Sequence, residues 1–318
     1  MKKRLLCVIL VCLVGMTGCR NTKERRENQD AYRQIGLNCM NEGDYDGAVE
    51  AFQKALDQSL AKIGEVEIDT CYYKARAQYL AGKTADAIET YTALLNYDAK
   101  NADAYYLRGE LYLANGQREE AKQDFAAAVK NDRKSYERYV NIAAQLSGAG
   151  EQEQADTYLA EALKLGGKNA TDYVWRGRIY LLQGDYDNAK KELEEAEKKE
   201  STDVALYLGE LYEKTGDSKK AEEYFNSYVK EHETDTQALE SLADLAIEKE
   251  DYTKAASYLE LALKAEQPAN EQSLRRKLIQ AYEFSGNFAS AKEQMESYAT
   301  AYPEDEEAVR EAEFLQTR

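Results

Sequence analysis

Few side chains in this sequence could do chemistry, and their spacing gives them little to work with. The one histidine, His232, stands between Glu231 and Glu233, where it could act as a general base or a metal ligand. A lone histidine builds neither a triad nor a histidine-rich metal site, and acid-flanked histidines are ordinary on solvated surfaces. Paired carboxylates such as Glu194–Glu195 and Glu222–Glu223 could share a proton if buried. Such pairs are interleaved with lysine, as over residues 190–200, in the manner of outer helix faces held by i,i+4 charge pairs. No G-x-S-x-G, no C-x-x-C and no Gly-rich loop after a strand occurs. No catalytic residue, no metal site and no cofactor is expected from this inventory.

The chain has 318 residues, 59 of them Asp or Glu and 42 Lys or Arg, for a net charge of −17. That sign disfavours nucleic acid as a partner, because a grip on phosphates needs clustered cations. Hydrophobic residues at 43% and charged residues at 32% describe a folded chain rather than a disordered one. Two prolines against 25 tyrosines suit long runs of helix and not a turn-rich sandwich.

The start of the chain reads as an address. Lys2, Lys3 and Arg4 precede an apolar run from Leu5 to Val14, too short for a bilayer span of about 20 residues. Met16-Thr17-Gly18-Cys19 follows and resembles the lipobox of bacterial lipoproteins, with Met16 where Leu is usual. The resemblance implies a signal peptide over 1–18, a lipid on Cys19, and a folded part held outside the cytoplasm at a bacterial membrane. On the residues alone, an ordinary cleaved signal and an uncleaved anchor stay open. Cleavage would remove three cations, taking the net charge from −17 to −20, together with Cys7 and Cys12. Cys39 and Cys71 would remain, as two core thiols or as one bridge. Residues 19–28 are polar and lack apolar periodicity, so they are expected to form a flexible tether.

Beyond it, one pattern recurs. Alanine stands at Ala48, Ala87, Ala121, Ala155, Ala189, Ala221, Ala255 and Ala291, at spacings near 34. Four residues after each comes a bulky side chain: Phe52, Tyr91, Phe125, Leu159, Leu193, Phe225, Leu259 and Met295. Twelve before each comes a small residue, such as Gly36, Gly109, Gly177 and Gly209, with Ile279 the exception. Five before each comes a glycine, such as Gly43 and Gly116, with Glu250 the exception. The small residue marks a close helix approach, and the later glycine a left-handed helix end. The alanine and the bulky residue share one face of the next helix. Each unit is therefore helix, tight turn, antiparallel helix.

The run Tyr105-Tyr106-Leu107-Arg108-Gly109-Glu110-Leu111-Tyr112, with Gly116, Ala121, Phe125 and Ala128, resembles a tetratricopeptide repeat. Tyr173, Gly177, Tyr180, Gly184, Tyr186, Ala189, Leu193 and Ala196 repeat it. Eight repeats fill residues 29–303, starting near Gln29, Ile68, Ala102, Tyr136, Ala170, Thr202, Thr236 and Gln272, with a five-residue excess near 61–66. Residues 304–318 read as a capping helix whose face is Ala308, Val309, Ala312 and Leu315. The expected fold is all-α: a tetratricopeptide (TPR) solenoid, a right-handed superhelix of eight helix pairs closed by that cap.

In this family the first helices line a concave groove that binds peptides or partner helices. Mapped onto this sequence, the resemblance places Tyr72, Tyr73, Arg76, Tyr106, Glu110, Asn141, Trp175, Arg178, Tyr207 and Glu210 there. Aromatics beside fixed charges are usual anchor material at interfaces. The first-repeat pair Arg33 and Leu37 does not match the family's clamp for a C-terminal carboxylate. The expected function is a non-enzymatic, membrane-anchored scaffold holding a protein or peptide in the groove. The alternative is a structural subunit of an envelope-assembly or secretion complex. An enzyme is the weakest reading, because repeat spacings near 34 leave no room for an inserted site.

Overall fold

The computed structural model describes residues 20–59, 63–266, 268 and 270–315, and every regular element among them is an α-helix. The expected lipid site Cys19 and its leader lie outside the described residues, as does part of the long turn at 61–66. The helices form two compact units divided after Leu165. The first unit holds α1 (Arg20–Asn41), α2 (Tyr45–Asp57), α3 (Glu65–Leu80), α4 (Thr84–Tyr97), α5 (Ala102–Ala114), α6 (Arg118–Asn131), α7 (Tyr136–Gly148) and α8 (Gln152–Leu163). The second holds α9 (Ala170–Leu182), α10 (Tyr186–Lys198), α11 (Val204–Lys214), α12 (Ser218–Tyr228), α13 (Thr236–Glu248) and α14 (Tyr252–Ala262). It ends with α15 (Glu271–Phe284), α16 (Phe288–Ala301) and α17 (Glu306–Leu315). Within each unit every helix packs on its neighbour in sequence, the stacking of consecutive helix pairs expected of the repeat.

Local chemistry sets the pairs. At the end of α5, Gly116 takes φ +74. Its amide donates to the Leu113 carbonyl at 3.0 Å, while the Gln117 amide reaches back to the Tyr112 carbonyl at 2.8 Å. These two bonds satisfy carbonyls that the helix end would leave bare. Where the glycine is replaced, Glu250 adopts the same left-handed turn at φ +59, with Asp251 bonded to the Ala246 carbonyl at 2.9 Å. The residue after the turn then caps the second helix. In α2, Asp44 accepts from the Gly47 amide at 2.9 Å, and Asp185, Asp217, Asp251 and Asn287 do the same for α10, α12, α14 and α16.

The small-to-bulky rule becomes a contact sixteen residues apart. A Cβ on Gly109 would lie 2.7 Å from Phe125 Cε1, and one on Gly177 would lie 2.5 Å from Leu193 Cδ2. Gly36 with Phe52 and Gly209 with Phe225 repeat the arrangement. In the last repeat Ile279 occupies the small-residue position, buried with Met295, Tyr298, Ala308 and Ala312. The unbranched Met295 makes room for it. Ala308 and Ala312 bring α17 onto that cluster.

The start of the array differs from the sequence expectation. Residues 20–28 are not a flexible tether but the opening turns of α1. Tertiary bonds explain it. Arg25 Nε donates to the Gln58 carbonyl at 3.1 Å, and its Nη2 to the carbonyls of Asp57 and Ser59 at 3.1 and 3.2 Å. Gln29, 7% exposed, donates to Glu67 Oε1 at 2.9 Å. A polar stretch thus gains order from the bare C-terminus of α2, a partner that no local pattern announces. Cys39 and Cys71 are free thiols, and burial pushes that of Cys71 up to about 11. Among the described residues, no helix is long and apolar enough to cross a membrane.

Candidate functional site

The ten residues expected to line a groove all stand on the first helices of their pairs: six on α3, α5 and α7 of the first unit, four on α9 and α11 of the second. In the first unit, Tyr72, Tyr73, Arg76 and Glu110 converge on a cavity of ≈ 680 Å³. Tyr79, Tyr91, Asp69, Asp103 and Gln145 complete its polar and aromatic lining.

Packing holds each wall. The Tyr72 hydroxyl donates to Asn101 Oδ1 at 2.6 Å, and the same Asn101 oxygen accepts from the Ala104 amide, capping α5. Burial pushes the Tyr72 phenol up to about 12, with Asp103 adding to the effect. Tyr73 stacks on Phe52 at 5.8 Å, and the Arg33 guanidinium lies 5.6 Å from the Tyr73 ring while pairing with Asp69. Tyr106 donates to Glu110 Oε1 at 2.6 Å, and its ring sits 4.9 Å under the guanidinium of Arg138, which pairs with Asp103. Gln145 Nε2 donates to the same Glu110 oxygen at 2.6 Å. Burial pushes the Glu110 carboxyl up, and the Tyr106 bond opposes it. Tyr106 thus supports the cavity from behind, and Asn141, half-buried on α7, lies outside its lining.

In the second unit, Arg178 lies 5.0 Å from the Trp175 ring and 5.7 Å from Tyr207, a cation held between two aromatics. Glu210 accepts from Gln237 Nε2. Burial pushes its carboxyl up to about 7, Arg178 opposes the shift, and Glu213 adds to it. A separate cavity of ≈ 600 Å³ lies among α15, α16 and α17, with Lys277 on its wall bonded to Glu240 and Asp244 at 2.9 and 2.7 Å. His232 stacks on Tyr228 at 4.2 Å. Among the described residues, no group of three or more His, Cys, Asp or Glu is placed to hold a metal ion.

Sequence reasoning missed Tyr91, which it counted as packing. One signal stood in the sequence: of the eight bulky positions, Tyr91 alone carries a hydroxyl. Asp69, Asp103 and Gln145 carried no such signal, because they reach the cavity only through the stacking of α3, α5 and α7.

Family models of the tetratricopeptide repeat match residues 29–59, 78–146, 180–245 and 236–268, together more than half of the chain. Among solved structures, a tetratricopeptide repeat protein from Parabacteroides merdae is similar at 16% identity and TM-score 0.54, over 80% of this chain and 99% of that one. The Cut9 and Hcn1 hetero-tetramer of the APC/C is similar at 14% identity and TM-score 0.51, over 88% of this chain and 54% of that one. At these identities the likeness is one of fold. No curated protein matches the chain.

Proposed function

The chain belongs to the tetratricopeptide repeat family, and we propose that it is a binding scaffold that receives a peptide segment of a partner protein in the cavity of its first unit. The single observation that carries this reading is the convergence of Tyr72, Tyr73, Tyr79, Arg76 and Glu110 on one concave surface of ≈ 680 Å³. Rigid aromatic walls with a few fixed polar groups are what a binding pocket needs. The acidic chain, at −17, favours encounter with basic partners at low salt. We further propose that a lipid on Cys19 holds the protein outside the cytoplasm of a bacterial envelope. With α1 starting at Arg20, the lipid would hold the first unit without a flexible spacer.

The test is a crosslinking capture from envelope extract with two baits. Tyr72 and Tyr106 hold neighbouring groups in place, so replacing them would disturb the fold. Arg76 and Tyr79 are exposed and serve better. A partner held by the unaltered chain and lost from Arg76→Glu/Tyr79→Ala supports the reading, and equal retention moves the site off this face. In parallel, Cys19→Ser should shift the protein from the membrane pellet to the soluble fraction, and its retention in the pellet would contradict the lipid anchor.

A further inference from the structure

The cavity among α15, α16 and α17 lies in the second unit, apart from the peptide cavity proposed above, and its charges are unevenly matched. Three carboxylates line it: Glu283 on α15, Asp305 just before α17, and Glu311 on α17. Asp305 is engaged at both oxygens. Its Oδ2 accepts from the Tyr298 hydroxyl at 2.8 Å and Arg276 Nη2 at 2.7 Å, and its Oδ1 accepts from the Ala308 amide at 3.3 Å. Glu283 and Glu311 are half-buried, and neither accepts a hydrogen bond or forms an ion pair among the described residues.

The cations around them are committed elsewhere. Lys277 bonds Glu240 and Asp244, and Arg276 bonds Asp305 and the Tyr298 hydroxyl. Arg275 and Arg310, on the same two helices, pair with Glu271 and Glu306. Lys292 on α16 is not part of the lining, and Ser273 and Gln280, which are, carry no charge. Burial pushes the Glu283 carboxyl up, and Glu311 adds to the effect with no cation opposing it. Glu283 also stands in the last turn of α15, where the helix carbonyls already concentrate negative charge.

This arrangement selects its guest. An anion meets two acids and no spare cation. A hydrocarbon covers the acids without pairing them. A neutral amide or alcohol donates hydrogen bonds but leaves the like charges facing each other. A bare calcium ion asks for about six to eight oxygens, and among the described residues no three acidic or metal-binding side chains are placed together. An ammonium or guanidinium neutralises both carboxylates. Ile279 and Met295, buried in the same wall, suit the methylene stem that carries such a head.

The surroundings say how the cation arrives. Phe284, the residue after Glu283, is 60% exposed and stacks on Tyr252 at 5.0 Å. Phe288, across the turn, is 49% exposed. Large aromatics left open together mark contact with another macromolecule. They fit a cation carried on a chain with apolar neighbours better than a free ion.

We propose that this cavity takes a lysine or arginine side chain of a partner protein between Glu283 and Glu311, while Phe284 and Phe288 receive the apolar residues beside it.

The test uses labelled Gly-Ser peptides with a central Leu-Arg-Leu, Leu-Lys-Leu, Leu-Gln-Leu or Leu-Glu-Leu, titrated with the full chain and read by fluorescence anisotropy. The Arg and Lys peptides should bind about tenfold tighter than the Gln and Glu peptides. Glu283→Gln/Glu311→Gln should abolish that preference. This variant should melt no lower than the unaltered chain, since it removes a repulsion and no bond. Phe284→Ser should weaken the Arg peptide, and Arg76→Glu/Tyr79→Ala, in the first unit, should leave it unchanged. A preference that survives Glu283→Gln/Glu311→Gln overturns the assignment, as does one lost with the first-unit variant. Equal binding of all four peptides, or binding of none, overturns it too. The capture experiment above decides the first unit's cavity separately.

Discussion

Arg108 and Asp124 join the two helices of one repeat through a two-pronged ion pair, Nε to Oδ2 at 2.7 Å and Nη2 to Oδ1 at 2.8 Å. Both side chains are largely enclosed, at 15% and 7% exposure. Nη1 of Arg108 also donates to Thr92 Oγ1 at 2.9 Å, so one guanidinium ties α4, α5 and α6 together. Two repeats later, Arg176 and Glu192 repeat the pair at the same sixteen-residue spacing.

Removing one partner should be costly. Asp124→Ala leaves a cation enclosed without its anion and should destabilise the first unit by about 3–5 kcal/mol. Replacing both, as Arg108→Met/Asp124→Leu, should cost far less, because no buried charge remains. Urea unfolding followed by circular dichroism checks both. A single variant as stable as the double would contradict the burial of the pair.

At the turn between α13 and α14, where the other repeats carry glycine, Glu250 holds φ +59. A side chain there costs roughly 1–2 kcal/mol, and glycine returns roughly 0.5–1 kcal/mol of that through its freer unfolded chain. Glu250→Gly should therefore stabilise the second unit by on the order of 0.5–1 kcal/mol. The sole tryptophan, Trp175, lies in that unit, so its fluorescence reports the unfolding there. A loss of stability would mean that the glutamate side chain makes a favourable contact.

Much of this was legible because the repeat writes its geometry in residue types. Helix starts expected at Ala102, Tyr136, Ala170 and Thr236 are those of α5, α7, α9 and α13. The small-to-bulky spacing is the Gly109–Phe125 contact itself. What escaped needed three dimensions. The opening of α1 is ordered by carbonyls more than thirty residues away, and no periodicity signals that. The enclosed Arg108–Asp124 pair had no signal, since burial is not written in a residue's type. Tyr91 looked like one more core aromatic, and only the packing of α4 against α3 and α5 places it at the cavity.

Glu210 gives the second unit a pH dependence. Its carboxyl is pushed up to about 7 by burial, above the ordinary 4.5, with Arg178 and Lys214 opposing and Glu213 and Asp235 adding. A raised folded-state value means the folded chain holds the proton more tightly than the unfolded chain does. The associated stability is fully present below about pH 4.5 and lost as pH rises through about 7. Glu210→Gln should therefore unfold at higher urea than the unaltered chain at pH 8, and the gap should close as pH falls toward 4.5. Trp175 fluorescence measures both. A gap independent of pH would show that Glu210 titrates normally.

The most direct measurement is site-specific photo-crosslinking in living cells, with the photoreactive residue placed at Tyr79 beside the cavity or at Lys130 on α6 of the same unit. Both positions are exposed, and only Tyr79 lines the cavity. The expected result is a defined adduct from position 79, absent from position 130 and lost when Arg76→Glu is added. Adducts from position 130 with none from position 79 would contradict partner binding in the first unit's cavity.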